Sequence, residues 1–382
     1  MAFHPRFIVI LSLVLSAFAA LNLFIGWNAT EWLDATDLPY SPGWFWSVLF
    51  VIAFAYVVAR FKLPKALAPI GRLLKIVGSY YIFLFEMAVI FALVADVAGL
   101  AVYAAGANVD AYVKGAGAVV IVLFVLLLAV GTRNAFSPVV RQYELEIDKA
   151  GGAAKSWTIA VASDIHLGNV IGNRHLRKLV ERVDAMNPDL ILLPGDVIDD
   201  SIEPFLRNDM SKTLGRLRAK HGVYAVLGNH EYYGGHIPEY IEEMSKVGIR
   251  VIQDETEEIA DSLYIVGRKD KTAESPRLGG RKAVAELVEG LDHTKPIILL
   301  DHQPTMFQQA ADAGVDLMLS GHTHRGQFAP NHWITRRVFE LDWGYMRKHA
   351  MHVIVSSGFG LWGPPIRVGS RSEIIQVTLN FK

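Results

Sequence analysis

The 382-residue chain contains no cysteine. That absence excludes disulfides, thiolate metal sites and cysteine nucleophiles, and leaves the redox compartment open. An excess of one charge sign is missing too: 37 Lys and Arg face 38 Asp and Glu, for a formal net charge of -1. No global field draws such a chain to nucleic acid, and no nucleic-acid partner is expected. Internal repeats and low-complexity tracts are absent. Beyond Thr132 no apolar run is long enough to cross a bilayer.

The apolar residues are concentrated before that point. A hydrophobic share of 52% is too high for an ordinary soluble protein, and 20% charge is too high for one wholly in lipid. Four runs approach the roughly 20 residues of a span: Phe7–Trp27, Trp44–Ala59, a stretch within Ile76–Ala105, and Ala116–Val130. Residues 1–132 are therefore predicted to form a membrane region of four helices, with 133–156 as a linker and 157–382 as a water-soluble domain. Between the second and third spans lie Arg60, Lys62, Lys65, Arg72 and Lys75 without an acid; between the first and second lie Glu31, Asp34 and Asp37 without a base. Basic loops stay in the cytoplasm. The expectation is a multi-pass protein of the inner (cytoplasmic) membrane, with the lipid bilayer as partner and the catalytic half facing the cytoplasm. Glu86 and Asp96 fall within the third span. Intramembrane carboxylates point by default to function, but with no Lys or Arg in the same span these two are read as protonated or hydrogen-bonded acids facing neighbouring helices, or, for Asp96, as an acid close to the interface.

From Ser156 onward, short buried strands alternate with amphipathic helices. Candidate strands are Thr158–Ala162, Leu190–Leu193, Tyr224–Leu227, Ile297–Leu300 and Leu317–Leu319; Arg174–Met186, Pro204–Leu217 and Pro238–Val247 have helical spacing. Such alternation describes an α/β layered domain. Lys269–Arg281, polar and rich in glycine, is expected as a surface loop. The residues just past each strand are chemically loaded: Asp164 and His166 after the first, Gly195-Asp196 with Asp199 after the second, Gly228-Asn229-His230-Glu231 after the third, Asp301-His302 after the fourth, Gly321-His322-Thr323-His324 after the fifth. Ligands in open α/β sheets bind outside the carboxyl ends of strands, so these loops can converge.

Asp164, His166, Asp196, Asn229, His302, His322 and His324 make a mixed nitrogen and oxygen set with more donors than one ion needs. Seven donors suit two ions bridged by a carboxylate, and Asp196, flanked by Gly195, is the best bridge. Two ions roughly 3.5–4 Å apart can hold a hydroxide and clamp phosphoryl oxygens during displacement. Four imidazoles argue against a pure magnesium cage and for Mn, Fe, Zn or Co without choosing among them; two divalent ions are expected, with manganese the first expectation.

The ordered motifs Asp-x-His, Gly-Asp-x-x-Asp, Gly-Asn-His-Glu, a lone His and Gly-His-x-His resemble those of the calcineurin-like metallophosphoesterase superfamily over nearly all of Trp157–Lys382. The Gly-His-Thr-His-x-Gly-Gln run, Gly358-Phe359-Gly360 and Pro364-Pro365-Ile366-Arg367 are similar to its bacterial membrane-associated branch, which includes phosphodiesterases and UDP-2,3-diacylglucosamine pyrophosphatases. The resemblance implies an αββα sandwich of two mixed sheets. It implies one metal on Asp164, His166, Asp196 and His324, and another on Asp196, Asn229, His302 and His322. It also implies that His230 is no ligand but donates a proton to the leaving oxygen, oriented by a carboxylate. Asp199 has the spacing of that partner, with Asp200 adjacent. His236 and Arg325 are candidates to line the substrate pocket. The aromatics Phe328, Trp333, Phe339, Trp343 and Tyr345, interleaved with Arg336 and Arg337, are candidates to lean on lipid headgroups. The expected activity is hydrolysis of a phosphoester or pyrophosphate bond in a phosphorylated small molecule or lipid-linked substrate. The alternative is a membrane sensor or scaffold with a regulatory metal site.

Overall fold

The computed structural model describes residues 5–59 and 64–382; Arg60 and Lys62 of the expected basic loop lie outside the described residues. The chain divides into two compact units, 1–130 with 363–365, and 131–362 with 366–382.

The first unit is helical: α1 (Pro5–Ala35), α2 (Pro42–Val58), α3 (Ala68–Ala104) and the start of α4 (Val109–Phe136). The helices at Ile8–Ala35, Ala68–Ala104 and Val109–Phe136 are long and apolar enough to cross a membrane, while α2 has 17 residues. A helix of that length rises about 26 Å, at the lower limit of a span. Three helices are thus of spanning length, and the expected fourth span rests on α2. Arg72 and Lys75, expected in a loop, lie instead in the first turns of α3. Close approach of α2 and α3 depends on Gly78, where a Cβ would come within 2.3 Å of the Tyr56 backbone nitrogen.

Twelve strands follow: β1 (Val139–Ile147), β2 (Ser156–Val161), β3 (Leu190–Pro194), β4 (Val223–Val226), β5 (Ile249–Val251), β6 (Glu255–Ile259), β7 (Leu263–Gly267), β8 (Ile297–Leu300), β9 (Leu317–Ser320), β10 (Gly344–Lys348), β11 (Met351–Val355) and β12 (Glu373–Phe381). They form two six-stranded sheets, ordered β1-β12-β2-β3-β4-β5 and β10-β11-β9-β8-β7-β6. Both are mixed: β2, β3, β4 and β5 run parallel while β12 and β2 run antiparallel, and β7, β8, β9 and β11 run parallel between antiparallel edges. Within 133–156, expected as a linker, the alternation of Tyr143, Leu145 and Ile147 forms β1 and pairs in register with β12.

Three apolar layers result. Ile159, Leu192, Ile298 and Leu319 fill the space between the sheets. On the outer face of the first sheet pack α5 (Asn173–Asp184), α6 (Glu203–Arg207), α7 (Met210–Leu214), and, beyond the short α8 (Asn229–Gly234), α9 (Ile237–Lys246). The buried stripe Leu176, Leu179, Val180 and Val183 of α5 has the i, i+3, i+4, i+7 spacing of a half-buried helix. Phe307, Val284 and Leu287 cover the other sheet. Helices thus flank two packed sheets. The expected helix over Pro204–Leu217 is broken, because Asp209 adopts a left-handed backbone (φ 48°) between α6 and α7. Lys269–Arg281 contains a short 3-10 turn, and its Arg281 turns inward to pair with buried Asp301 at 3.2 Å.

Candidate metal centre

Each candidate residue lies just beyond the carboxyl end of a parallel strand: Asp164 and His166 after β2, Asp196 after β3, Asn229 and His230 after β4, His302 after β8, His322 and His324 after β9. Asp164, His166, Asp196, His322 and His324 all have φ between 48° and 71°. Non-glycine residues enter this left-handed region at a cost of order 1–3 kcal/mol each, and persist only where the surroundings hold them. Here backbone bonds knit the loops together, Asp164 N–H to Gly195 O and His166 N–H to Asp196 O, both at 3.0 Å. Two glycines leave the necessary room. A Cβ on Gly195 (φ +89°) would stand 2.6 Å from His302 Nδ1, and one on Gly321 would stand 2.0 Å from Asp164 Oδ2.

The structure brings all seven expected donors together. In one group, His166 Nε2 lies 2.9 Å from His324 Nε2, which lies 3.4 Å from Asp164 Oδ1. In the other, His302 Nε2 lies 3.0 Å from Asp196 Oδ2, and His322 Nδ1 lies 2.7 Å from Asn229 Oδ1. Asp196 stands between the groups, its Oδ2 also 3.9 Å from His166 Nε2. His302 is aimed by its own Nδ1–H, which donates to the Pro194 carbonyl at 2.8 Å.

The electrostatics suit a cation. Burial holds the imidazoles of His166 and His322 down at about 4 and that of His324 well below its ordinary value, so all three are neutral, the form that offers a lone pair. Burial likewise pushes the Asp164 carboxyl up to about 6. Burial would also raise Asp196, but the imidazoles around it, His302 foremost, more than offset this and hold it below the usual carboxylate range. His302 Nε2 and Asp196 Oδ2 are close without hydrogen-bond alignment, and His166 Nδ1 is buried without a partner. Burial disfavours charge on His302, but Asp196 prevails and raises it well above its ordinary value. Three neutral imidazoles, with His302 and the carboxylates crowded against them at such distances, fit a divalent ion in each group.

His230 stands beside these groups. Its backbone N–H donates to Asp196 Oδ1 at 2.9 Å, and its ring meets that of His166 edge-on, with centroids 4.6 Å apart. The carboxylate on its Nδ1 is Asp200, at 2.7 Å; Asp199, favoured by spacing, is 3.9 Å away. The left-handed backbone at Asp200 (φ 50°) turns that side chain toward the imidazole. Burial disfavours charge on His230, but the Asp200 bond and the nearby Asp196 prevail and push it up to about 9.

Two residues that the sequence reading named only as members of motifs have supporting parts. Glu231, fully buried, accepts N–H bonds from Gly228 (2.7 Å), Ile198 (2.9 Å) and Asp196 (3.1 Å), tying the β3 and β4 loops together. Its place at the third position of α8, opposite Gly228, is a capping pattern and was the available signal. Arg367, also fully buried, donates to the carbonyls of Ser357, Gly358 and Gly360 and reaches within 3.4 Å of His324 Nδ1. Of the pocket candidates, Arg325 stacks over Trp343 at 3.9 Å, whereas His236 is exposed and pairs with Glu239.

Comparison with known proteins gives the family. The family model for calcineurin-like phosphoesterases matches residues 158–326. An uncharacterized metallophosphoesterase of Aquifex aeolicus is 34% identical over 247 residues, covering 64% of this chain and 92% of that protein. A transmembrane protein with metallophosphoesterase domain from Danio rerio is 31% identical over 271 residues, covering 68% of this chain and 61% of the relative. A Campylobacter jejuni metallophosphoesterase, also uncharacterized, is 32% identical and matched over 69% of its length. The chain belongs to the calcineurin-like phosphoesterases, metal-dependent hydrolases of phosphoester bonds that use a dinuclear divalent centre, and carries that domain alongside apolar helices of membrane-spanning length.

Proposed function

We propose that this chain is a membrane-anchored phosphoesterase acting on a lipid-linked phosphoester or pyrophosphate at the cytoplasmic face of the inner membrane. The convergence of seven donors from five loops, with Asp196 between the two groups, carries the reading. One ion is assigned to Asp164, His166, Asp196 and His324, the other to Asp196, Asn229, His302 and His322, with manganese the preferred metal. Such a pair supplies Lewis acidity and an activated water. The remaining work falls to the chain's own side chains. His230, kept protonated by Asp200, is positioned to give its proton to the leaving oxygen. Asp200 then stabilises the imidazole orientation, the part that spacing assigned to Asp199. Burial of Asp164, His166, Asp196 and His302 keeps bulk water away from these side chains.

Location supports the lipid-linked substrate. The helix His332–Val338, close in sequence to the His322/His324 loop, exposes Trp333, Ile334 and Val338 next to Arg336 and Arg337. Apolar and basic residues side by side on a surface suit a headgroup layer. Phe328 of the same segment is buried instead. The membrane region is taken as 1–132, and the catalytic domain, taken from sequence as 157–382, gains β1. The test is hydrolysis of bis-p-nitrophenyl phosphate and of lipid-linked mono-, di- and pyrophosphates by the full chain with added manganese. Asp196→Asn and His230→Ala should each lower activity by about 100-fold or more, and activity surviving both would overturn the assignment.

A further inference from the structure

The helical unit carries an open cavity of about 950 Å³ lined by α1, Phe45 of α2, the carboxyl-terminal half of α3 and the first half of α4, with Trp27, Leu100 and Tyr103 exposed along it. That volume is at the upper end of small-molecule sites. Phe24, Val120 and Phe124 give it apolar walls. Two carboxylates line it, Glu31 from α1 and Asp96 from α3, both exposed at its open side, and among the described residues no Lys, Arg or His lines it. The groups that donate to them are neutral: Trp27 Nε1–H to Glu31 Oε1 at 2.8 Å, and Asn28 Nδ2–H to Asp96 Oδ2 at 3.4 Å. The nearest basic side chain along α4, Lys114, is paired with Asp110 at 3.0 Å. Trp27, Trp32 and Tyr112 add aromatic surface beside the acids.

Negative charge in an apolar, aromatic cavity has one chemical complement. A carboxylate attracts a cation, aromatic faces attract it further, and apolar walls take hydrocarbon. A carboxylate within a span, as Asp96 is, is costly unless it serves a ligand or path, and Glu31 stands near the carboxyl end of α1. We propose that this cavity binds an amphipathic organic cation, an ammonium or phosphonium group carrying apolar substituents. Asp96 and Glu31 supply the counter-charge, and Glu86, which lies outside the cavity, takes no part. The inference rests on the helical unit residing in a bilayer and is independent of the metal centre.

The test uses the isosteric ions tetraphenylphosphonium and tetraphenylborate with the full chain in a neutral detergent, by equilibrium dialysis. The cation should bind once per chain and at least tenfold more tightly than the anion. Asp96→Asn combined with Glu31→Gln should abolish that preference. Ala92→Phe, which fills the cavity without altering charge, should abolish binding. Circular dichroism identifies any variant that fails to fold, and the two substitutions act by different means, so one serves if the other is lost. Equal binding of both ions would mark a gap for lipid tails and overturn the proposal, as would binding unchanged in both variants or no binding by the parent chain.

Discussion

Glu231→Ala tests how the metal loops are held. The Glu231 carboxylate accepts three buried backbone N–H groups, those of Gly228, Ile198 and Asp196, at 2.7, 2.9 and 3.1 Å. Truncation leaves all three donors without a partner, and each orphaned buried donor costs about 1–3 kcal/mol. The sum is at least about 3 kcal/mol. At about 2–4 °C per kcal/mol for a domain of this size, the melting temperature should fall by about 6 °C or more. Because two of the three bonds hold the backbone of Asp196 itself and of Gly228 beside Asn229, metal content should fall with it. Glu231→Gln keeps one acceptor oxygen but turns an NH2 group toward an N–H, so it should lie between parent and Ala. Near-ultraviolet circular dichroism of the full chain in detergent gives the melting curve, and elemental analysis gives the metal content. If Glu231→Ala melted within about 2 °C of the parent, less than the loss of one such bond, and kept its metal, the carboxylate would not be the tie described here.

Three further outcomes are expected. His230, pushed up to about 9 chiefly against the pull of burial by its Asp200 bond, holds its proton below that pH and loses it above. Asp200→Asn should therefore move the alkaline limb of the kcat/KM profile to lower pH by about one unit, or about 1.4 kcal/mol, whereas Asp199→Asn, 3.9 Å from the ring, should move it less. Gly321→Ala would place a methyl group 2.0 Å from Asp164 Oδ2 and 2.3 Å from Ser163 Oγ, so metal content should fall while the far-ultraviolet spectrum is retained. Arg367→Met removes a buried guanidinium from three carbonyls and should lower stability by about 3 kcal/mol or more, with Arg367→Lys intermediate, as read by denaturant unfolding.

The strands that position the site were legible because each is an apolar run bounded by polar or glycine residues, as in Leu190–Pro194 and Ile297–Leu300. Strands with a wet face were not. Glu255–Ile259 and Gly344–Lys348 are polar edge strands whose pairing, not their composition, makes them strands. β1 hid in a presumed linker because its partner β12 lies over 200 positions away. The seven candidate donors were legible from motif order, since each follows a readable strand. Asp200 rather than Asp199 meets His230 because of a left-handed backbone, which residue counting does not reveal. Arg367 was visible only as part of a motif, since its role depends on carbonyls that the fold brings to it. In the helical unit, helix lengths outran the apolar cores that marked them: α1 covers Pro5–Ala35 where the core suggested Phe7–Trp27.

The most direct measurement is the metal stoichiometry of the purified full chain, by elemental analysis after saturation with manganese and gel filtration. Two divalent ions per chain in the parent, and loss of both on Asp196→Asn, would agree with a carboxylate shared between two groups. A parent that retains no ion, or an Asp196→Asn variant that keeps both, would contradict it.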